Sequence, residues 1–392
     1  MRLLHTSDWH LGRSFHGVGM LDAQRAFVSQ LVAAVSDHGV DVVLIAGDVY
    51  DRALPGVDVV RLLDEALVGI TAAGAKVVLT SGNHDSAIRL GFAARLLERG
   101  GVHLRTRVED LDKPLLLPLG PDAAGRDAVA AIYGIPWLEP RLVAEPLGVE
   151  AASHFDVTSA ATTLIREDIA RRAGSAVVHS VVLAHTFASG GISSDSEREL
   201  SIGGVGAVPL DLFDGFSYTA LGHLHGRQSL SPQVRYSGSP LAYSFSEANH
   251  SKGAWLVDLG PDGVTAVEEV LWDAPRALAV LRGPLAELLE SPEHACAETA
   301  YCQVTLTDDQ RPARAMERLR ARFPDTLVLG FDPEGGTPAL STSYSSRLAE
   351  APDDLAVCCG FLEHVRGRTP DDAEKAALAA ALENVRLQEA AL

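Results

Sequence analysis

Five short polar motifs stand at the ends of apolar runs, and this arrangement limits the possible fold more than any other feature of the chain. The motifs are Asp8-x-His10, Gly47-Asp48, Gly82-Asn83-His84-Asp85, Ala184-His185 and Gly222-His223-x-His225. Each follows a short stretch of β-branched and aliphatic residues, which is typical of a buried strand. Open α/β sheets collect functional residues beyond the carboxyl ends of their strands. We therefore predict an α/β protein whose functional site lies at those strand ends.

Apolar runs alternate with amphipathic stretches up to about Trp272, the pattern of strands crossed by helices in a layered domain. Strands are predicted at residues 3–6, 40–46, 76–80, 128–134, 181–184, 218–221, 235–237, 254–259 and 264–271. Helices are predicted at residues 22–37 and 57–73, where apolar side chains recur on one face. We expect residues 1–274 to form one large domain, in which the last two strands pair antiparallel around a Gly-Pro-Asp-Gly turn.

Ala274-Pro275 marks a change of pattern. The segments that follow predict a second alternation of strands and helices, at residues 276–282, 284–290, 301–307, 312–323 and 326–331. We read residues 275–335 as a small α+β domain and the Gly-, Pro- and Ser-rich residues 336–352 as a linker. Residues 353–392 are predicted to form a C-terminal helical pair, at 353–365 and 370–391, with Thr369 as the N-cap of the second helix.

The charge balance restricts the class of function. The chain carries 33 Lys and Arg against 52 Asp and Glu, a formal net charge of −19. This argues against a protein that coats DNA by itself, but not against a nuclease, because divalent metals add positive charge at the point of chemistry. The four cysteines lack the CxxC spacing of a structural zinc site and are expected to be reduced. With no apolar run near the ~20 residues of a membrane span and no signal peptide, we expect a cytoplasmic protein.

Each motif alone is a weak signal; Asp8-x-His10, for example, also fits a capped turn with an exposed histidine. The set is stronger, because Gly82 permits a sharp turn and Asn83 adds an amide oxygen to imidazole and carboxylate groups. Seven side chains make a balanced ligand set for two ions. We assign Asp8, His10 and His225 to one ion, Asn83, His185 and His223 to the other, and Asp48 as the bridge between them.

These ligands suit Mn²⁺, Fe²⁺ or Zn²⁺ better than an all-oxygen Mg²⁺ site, and we predict Mn²⁺, with the other three as alternatives. Two ions about 3.5–4 Å apart polarise a phosphoryl oxygen and steady an in-line displacement. His84 is surplus to the ligand count. We therefore predict that it acts on the substrate, by steadying transition-state charge or by protonating the leaving oxygen. Asp85 is predicted to orient His84, with a structural role as the alternative.

At this point the chain resembles the calcineurin-type metallophosphoesterase superfamily, whose motifs are D-x-H, GD, GNH[DE], a lone H and GHxH. More narrowly it resembles the SbcD family, the nuclease subunits of bacterial SbcCD complexes. The narrower resemblance covers essentially the whole chain and rests on five segments: TSDWHLG at 6–12, AGDVYD at 46–51, GIP at 134–136, ALGHLH at 220–225 and YSGSPL at 236–241.

The resemblance implies a layered metallophosphoesterase β-sandwich flanked by helices, and a place in DNA repair and recombination. It implies exonuclease activity on double-stranded ends and endonuclease activity on single strands and hairpins. Residues 275–335 would cap the active site and contact DNA. The helices of 353–392 would dock on SbcC, an SMC-like ATPase partner, through Leu355, Phe361, Leu362 and Val365. The family also implies a homodimer within a heterotetramer, with no contact to a membrane.

Several alternatives stay open. Asp51 stands where archaeal relatives carry a second substrate-facing histidine, so that role is absent or filled otherwise. The loop 189–209 is either a substrate-facing element or a flexible crossover. The tail helices, taken alone, fit packing on their own domain as well as docking on a partner. The main alternative function is a small-nucleotide phosphodiesterase or phosphatase of the same superfamily. An inactive scaffold is disfavoured because all seven ligands and His84 are present.

Overall fold

The computed structural model describes residues 1–150, 152–174, 176–195, 197, 206–333, 354–366 and 368–389. The strands there are β1 (Arg2–Thr6), β2 (Ser14–Phe15), β3 (Val18–Gly19), β4 (Val42–Ala46), β5 (Lys76–Thr80), β6 (Val102–Arg105), β7 (Leu115–Pro121), β8 (Asp127–Ile135), β9 (Val177–His185), β10 (Tyr218–Gly222), β11 (Gln228–Ser229), β12 (Val234–Tyr236), β13 (Gly253–Gly260), β14 (Gly263–Leu271), β15 (Leu278–Gly283), β16 (Tyr301–Leu306) and β17 (Thr326–Phe331). The helices are α1 (Leu21–Asp37), α2 (Val57–Ala72), α3 (Ala87–Leu90), α4 (Ala94–Leu97), α5 (Pro140–Val143), α6 (His154–Arg172), α7 (Leu285–Glu290), α8 (Ala315–Arg322), α9 (Asp354–Arg366) and α10 (Asp372–Glu389). Each helix in these ranges is too short or too polar to cross a membrane.

Two six-stranded sheets form the body of the protein. The first has the order β14-β13-β1-β4-β5-β6 and the second the order β11-β12-β10-β9-β8-β7. Their central strands run parallel: β1, β4, β5 and β6 in the first sheet, and β8, β9, β10 and β12 in the second. Antiparallel strands β13 and β14 complete the first sheet around the predicted turn. The predicted α/β class with a layered β-sandwich is confirmed.

The layers follow from the side-chain alternation of the central strands. In β4, Val42 and Leu44 point between the two sheets, whereas Val43 and Ile45 pack on the opposite side with α1 and α2. Helix α6 covers the outer face of the second sheet, through Val157, Ala161 and Ile165. Both faces of each sheet are therefore covered, and every residue of β4 is buried.

The small predicted alternation is also present as a sheet, with the order β15-β16-β17 and parallel pairing throughout. Helices α7 and α8 pack on it through an apolar cluster that includes Leu285, Leu319 and Phe323. The structure divides into two compact units, residues 1–306 with 312–331, and residues 307–311 with 332–392. The boundary at 274/275 stays a prediction, and the predicted linker 336–352 lies outside the described residues.

The second unit contains α9 and α10, close to the predicted bounds of the tail helices. The predicted N-cap of the second helix was wrong: α10 begins at Asp372, so Asp371 takes that position. The Asp371 carboxylate accepts from the main-chain N–H of Glu374 at 2.9 Å, and the Glu374 carboxylate accepts from that of Asp371 at 3.0 Å. This reciprocal pair satisfies two main-chain N–H groups at the start of the helix. It explains why the helix begins after Asp371 and not after Thr369.

Candidate metal centre

The five motifs meet at one edge of the two sheets, as predicted. Strands β1, β4 and β5 of the first sheet end just before Asp8, Asp48 and Asn83. Strands β9 and β10 of the second sheet end at His185 and immediately before His223. Main-chain hydrogen bonds join the loops, since the N–H of Asp8 donates to Gly47 O at 3.1 Å and that of His10 to Asp48 O at 2.9 Å. The seven predicted ligands thus come from five separate loops that hold one another.

The backbone is strained at four of the predicted ligands. Asp8, His10, Asp48 and His223 have φ values of 53°, 43°, 48° and 110°, in the left-handed region that residues with a side chain rarely adopt. Such conformations cost on the order of 1–3 kcal/mol each and persist where surrounding contacts enforce them, typically at functional sites. Here the interlocked loops supply those contacts. These backbone conformations direct the side chains of the four residues toward the shared centre.

Two glycines permit the loops to approach closely. A Cβ on Gly82 would lie 2.7 Å from the carboxyl carbon of Asp48, and one on Gly47 would lie 2.8 Å from Cβ of His185. Real Cβ atoms essentially never approach another atom below 3.0 Å. Only glycine therefore allows the Asp48 carboxylate and the His185 ring to occupy these positions.

Asp48 lies midway between the two predicted ligand groups. Its Oδ2 is 3.5 Å from Nε2 of His10 and 3.5 Å from Nε2 of His185. On one side, Asp8, His10 and His225 bring their ligand atoms within 4.8 Å of one another. Asp8, Asp48 and His185 form a second group of the same kind. This is the placement that a bridging carboxylate requires.

Asn83 joins the remaining histidines. Its Oδ1 lies 3.0 Å from Nε2 of His185 and 3.3 Å from Nδ1 of His223. The second ring nitrogen of His185 faces Ala46 O at 2.9 Å, so Nδ1 carries a proton and Nε2 is the nitrogen directed toward a metal. Imidazole nitrogens, two carboxylates and an amide oxygen thus converge in a buried site, which is a donor set that fits divalent metal ions.

Burial and mutual charge shift the pKa values of these groups. Burial raises the pKa of Asp8 to about 6 and lowers that of His223 to about 3. Burial also opposes charge on His185, but the Asp48 carboxylate outweighs it and raises the pKa of His185 to about 9. Despite its own burial, Asp48 is held well below its usual pKa by His185. Asp48 and His185 therefore form an ion pair near neutral pH, and a divalent cation held by Nε2 of His185 would have to displace the proton from that nitrogen.

His84 lies beside the predicted ligands, in a group with His10 and Asp48. Its main-chain N–H donates to Asp48 Oδ1 at 2.9 Å, and its Nδ1 lies 2.9 Å from the carbonyl oxygen of Asp51. Because a carbonyl only accepts, Nδ1 carries a proton and the ring is oriented by the main chain of Asp51. The Asp51 position therefore contributes through its carbonyl group.

The structure places the Asp85 side chain against main-chain groups. Its carboxylate accepts from the N–H groups of Val49, Tyr50 and Gly82, at 3.0, 2.9 and 2.9 Å. These bonds tie the Asp48 loop to the Asn83 loop. The geometry favours the structural alternative for Asp85 over direct contact with the His84 ring; a catalytic contribution through the loop stays a proposal.

Sequence reasoning missed several residues around the centre. The ring of Trp137 stacks on that of His223, with centroids 5.6 Å apart, one residue beyond the Gly-Ile-Pro segment. Glu247 and Lys252 lie buried behind His225. His16, which belongs to none of the five motifs, lines an open cleft of about 660 Å³ together with His84 and Asn83. Val280 and Gln303 of the small sheet line the same cleft, so that sheet forms part of its wall.

Residues 1–157 match the family model of the calcineurin-like phosphoesterases. Together with the layered sheets and the strand-end donors, this match defines the chain as a metallophosphoesterase, a class that works with divalent metal ions.

A second family model, described as the Type 5 capsule protein repressor C-terminal domain, matches residues 274–366. The SbcD subunit of the nuclease SbcCD from Rhodobacter capsulatus is 36% identical over 335 residues, covering 79% of this chain and 81% of that protein. The chain belongs to the SbcD family.

Solved structures of low similarity include a dimetal phosphatase from Danio rerio, at 11% identity and a TM-score of 0.41 over 70% of this chain and 99% of that one. GAP50, the anchor in the inner membrane complex of Plasmodium, gives 9% identity and a TM-score of 0.39 over 86% and 98%. The family assignment rests on the sequence matches.

Proposed function

We propose that the chain is the metal-dependent nuclease subunit of an SbcCD-type complex. It would act as an exonuclease on double-stranded DNA ends and as an endonuclease on single strands and hairpins. The observation that carries the proposal is the 36% identity to a nuclease subunit over 335 residues, which extends well beyond the metal centre. The converged ligand set supports hydrolysis of a phosphodiester. The chain also carries a separate C-terminal region, matched by its own family model over residues 274–366, and a small-nucleotide phosphodiesterase needs no such region.

Two bound ions, which we propose to be Mn²⁺, would polarise the phosphoryl oxygen and offset the charge of the transition state. His84 would act from the open side of the centre, where it lines the cleft. Since its Nδ1–H is directed to Asp51 O, donation to the substrate runs through Nε2 and requires the doubly protonated ring. We propose that this ring steadies the developing charge or protonates the leaving oxygen.

The cleft would receive the scissile strand. Arg13 offers a guanidinium at its wall, which could contact a phosphate group, whereas the rings of Tyr243 and Phe245 line the cleft as part of a buried apolar cluster. Val280 and Gln303 would contact DNA from the small sheet, as proposed for a capping domain of residues 275–335. Because the net charge is −19, we expect weak DNA binding by the isolated chain and stronger binding in the complex.

We propose that the partner is an SbcC-type SMC-like ATPase and that α9 and α10 dock on it. The ring of Phe361 on α9 is 52% exposed, which supports a docking role; the side chain of Val365 lies outside the described residues. Deleting the residues after Ser346 should abolish capture of the partner and spare Mn²⁺-dependent cleavage of simple phosphodiesters. Retained capture would show that the tail is not the dock.

We also propose that the chain forms a homodimer through an apolar patch made of Leu54, Val57, Ile88 and Phe92. Their side chains are 70%, 69%, 89% and 81% exposed, and Arg89 donates to Ala53 O at 3.3 Å, which places the two segments side by side. Exposed apolar patches of this kind mark protein interfaces. Two dimer-related chains with two ATPase subunits would make the heterotetramer.

Cleavage of an end-labelled DNA duplex and of bis-nitrophenyl phosphate by the purified chain with Mn²⁺, with and without the ATPase partner, tests this function. We expect Mn²⁺-dependent DNA degradation that rises with the partner and ATP. Hydrolysis of the small diester with DNA untouched under both conditions would instead establish a small-nucleotide phosphodiesterase.

A further inference from the structure

Three polar contacts hold His225 in place, two through its main chain and one through its ring. Its main-chain N–H donates to the carboxylate of Glu197, and its carbonyl oxygen accepts from Nζ of Lys252 at 2.9 Å. Its ring nitrogen Nδ1 lies 3.2 Å from Oε1 of Glu247. The opposite ring nitrogen, Nε2, points into the centre, 3.1 Å from Nε2 of His10.

Glu247 and Lys252 form a buried ion pair behind this residue. The two residues are 1% and 8% exposed, and Lys252 Nζ lies 2.6 Å from Oε2 of Glu247. Lys252 also donates to Ser239 Oγ at 2.9 Å. Glu247 closes a short helical turn capped by Ser244, whereas Lys252 directly precedes β13. The pair therefore connects the end of β10 in one sheet to β13 in the other.

A buried ion pair is a poor source of stability, because desolvation of the two charges offsets most of their attraction. What this pair does provide is a carboxylate at a fixed position against His225 Nδ1. A carboxylate only accepts, so it holds the proton on Nδ1 and leaves the Nε2 lone pair for a metal. For His185 a main-chain carbonyl fills the same place, at Ala46.

We propose that Glu247 is a positioning residue that fixes the tautomer and orientation of the His225 ring, and that Lys252 fixes Glu247. The proposal rests on the proposed two-metal function. It states that the affinity for the ion held by Asp8, His10 and His225 depends on this pair. Mutation of the carboxylate partner of a metal-binding histidine typically lowers metal affinity or activity by about 10–100-fold.

The sharpest test is Glu247→Gln, which keeps the shape of the side chain. Lys252 has only donors, so the amide oxygen will turn toward it and the amide NH₂ will face His225 Nδ1. The ring must then accept at Nδ1 and carry its proton on Nε2, where it blocks the metal. Glu65→Gln is the matched control, because it breaks the exposed Arg25–Glu65 pair (2.6 Å) on the helices.

Mn²⁺ titration of the full chain followed by electron paramagnetic resonance reads the outcome without any substrate. We expect wild type and Glu65→Gln to bind two ions with the signal of a coupled pair. Glu247→Gln should bind one ion about 10–100-fold more weakly and show an isolated Mn²⁺ signal at intermediate concentrations. Equal affinity in Glu247→Gln and wild type overturns the positioning role alone. Absence of a coupled pair in wild type overturns the two-metal function as well.

A double variant separates positioning from stability. Replacing the pair by Glu247→Met and Lys252→Met keeps the volume and removes both buried charges, which is often neutral or stabilising. We expect the melting temperature to stay near that of wild type while the weak Mn²⁺ affinity persists. If the affinity matches wild type, the pair is not needed to position His225 and the proposal is wrong, and a lowered melting temperature alongside that affinity would show that the pair serves structure only.

Discussion

Gly82→Ala tests how closely the loops of the metal centre must approach. The added Cβ would lie 2.7 Å from the carboxyl carbon of Asp48, and closer still to one of its oxygens and to its main-chain nitrogen. Since 3.0 Å is the practical limit, the carbon must move by at least 0.3 Å (3.0 − 2.7) and the nearer atoms by more. The Asp48 loop cannot move freely to relieve this contact, because main-chain hydrogen bonds join it to the loop of Asp8 and His10.

A misplacement of about 1 Å in a catalytic group costs on the order of 10²-fold in rate, or about 2.7 kcal/mol of barrier. Overpacking also costs about 1–3 kcal/mol of stability, which leaves most domains folded. We therefore expect Gly82→Ala to melt cleanly, to bind Mn²⁺ more weakly, and to cleave bis-nitrophenyl phosphate at least about 100-fold more slowly.

Gly100→Ala is the matched control, because a Cβ at Gly100 meets no atom within 4 Å and its backbone is not in the left-handed region. It should match wild type in Mn²⁺ content and in rate. If Gly82→Ala also retained both within twofold, the close approach of the two loops would not be required and the reasoning would be refuted.

Three further predictions concern the ligands, the patch and the protons. His84→Ala should keep both ions, measured by elemental analysis, and lose about 10²–10⁴-fold in cleavage rate, whereas Asp48→Ala should lose the ions; loss of metal in His84→Ala would contradict its assigned role. Phe92→Ser should shift the chain toward monomer in light scattering, and Leu142→Ser, at a site 75% exposed outside the patch, should not. Because the pKa of His185 is raised to about 9, its proton is bound at pH 7 and must leave when Mn²⁺ binds. Calorimetry in two buffers of different ionisation enthalpy should show proton release at pH 7 and less release above pH 9; an identical heat in both buffers at pH 7 would contradict it.

The strands that carry the motifs could be predicted because their apolar runs end sharply at polar residues. Strand β5 has the predicted bounds, Lys76–Thr80, and β10 differs by one residue at its end. Other elements gave no such signal. Strand β7 lies at a sheet edge and contains Pro118 and Pro121, which read as loop residues. Helix α6 buries polar groups, including Asp168, which accepts from the hydroxyl of Tyr133 at 2.9 Å.

The metal ligands were visible in the sequence because each belongs to a local motif, but their supporting residues were not. Glu247 reaches His225 across 22 positions of the chain, and no periodic pattern links the two. The sequence offers one indication only, the acidic and basic residues Glu247 and Lys252 five positions apart; the structure shows that both are buried. The role of Asp51 was hidden for a different reason, because its contact with His84 is made by the main chain.

The most direct test of the two-metal assignment is anomalous X-ray diffraction from crystals soaked with Mn²⁺. We predict two peaks about 3.5–4 Å apart, one on either side of Asp48 Oδ2, with Asp8, His10 and His225 around the first and Asn83, His185 and His223 around the second. A single peak, or a pair that does not share Asp48, would contradict the assignment.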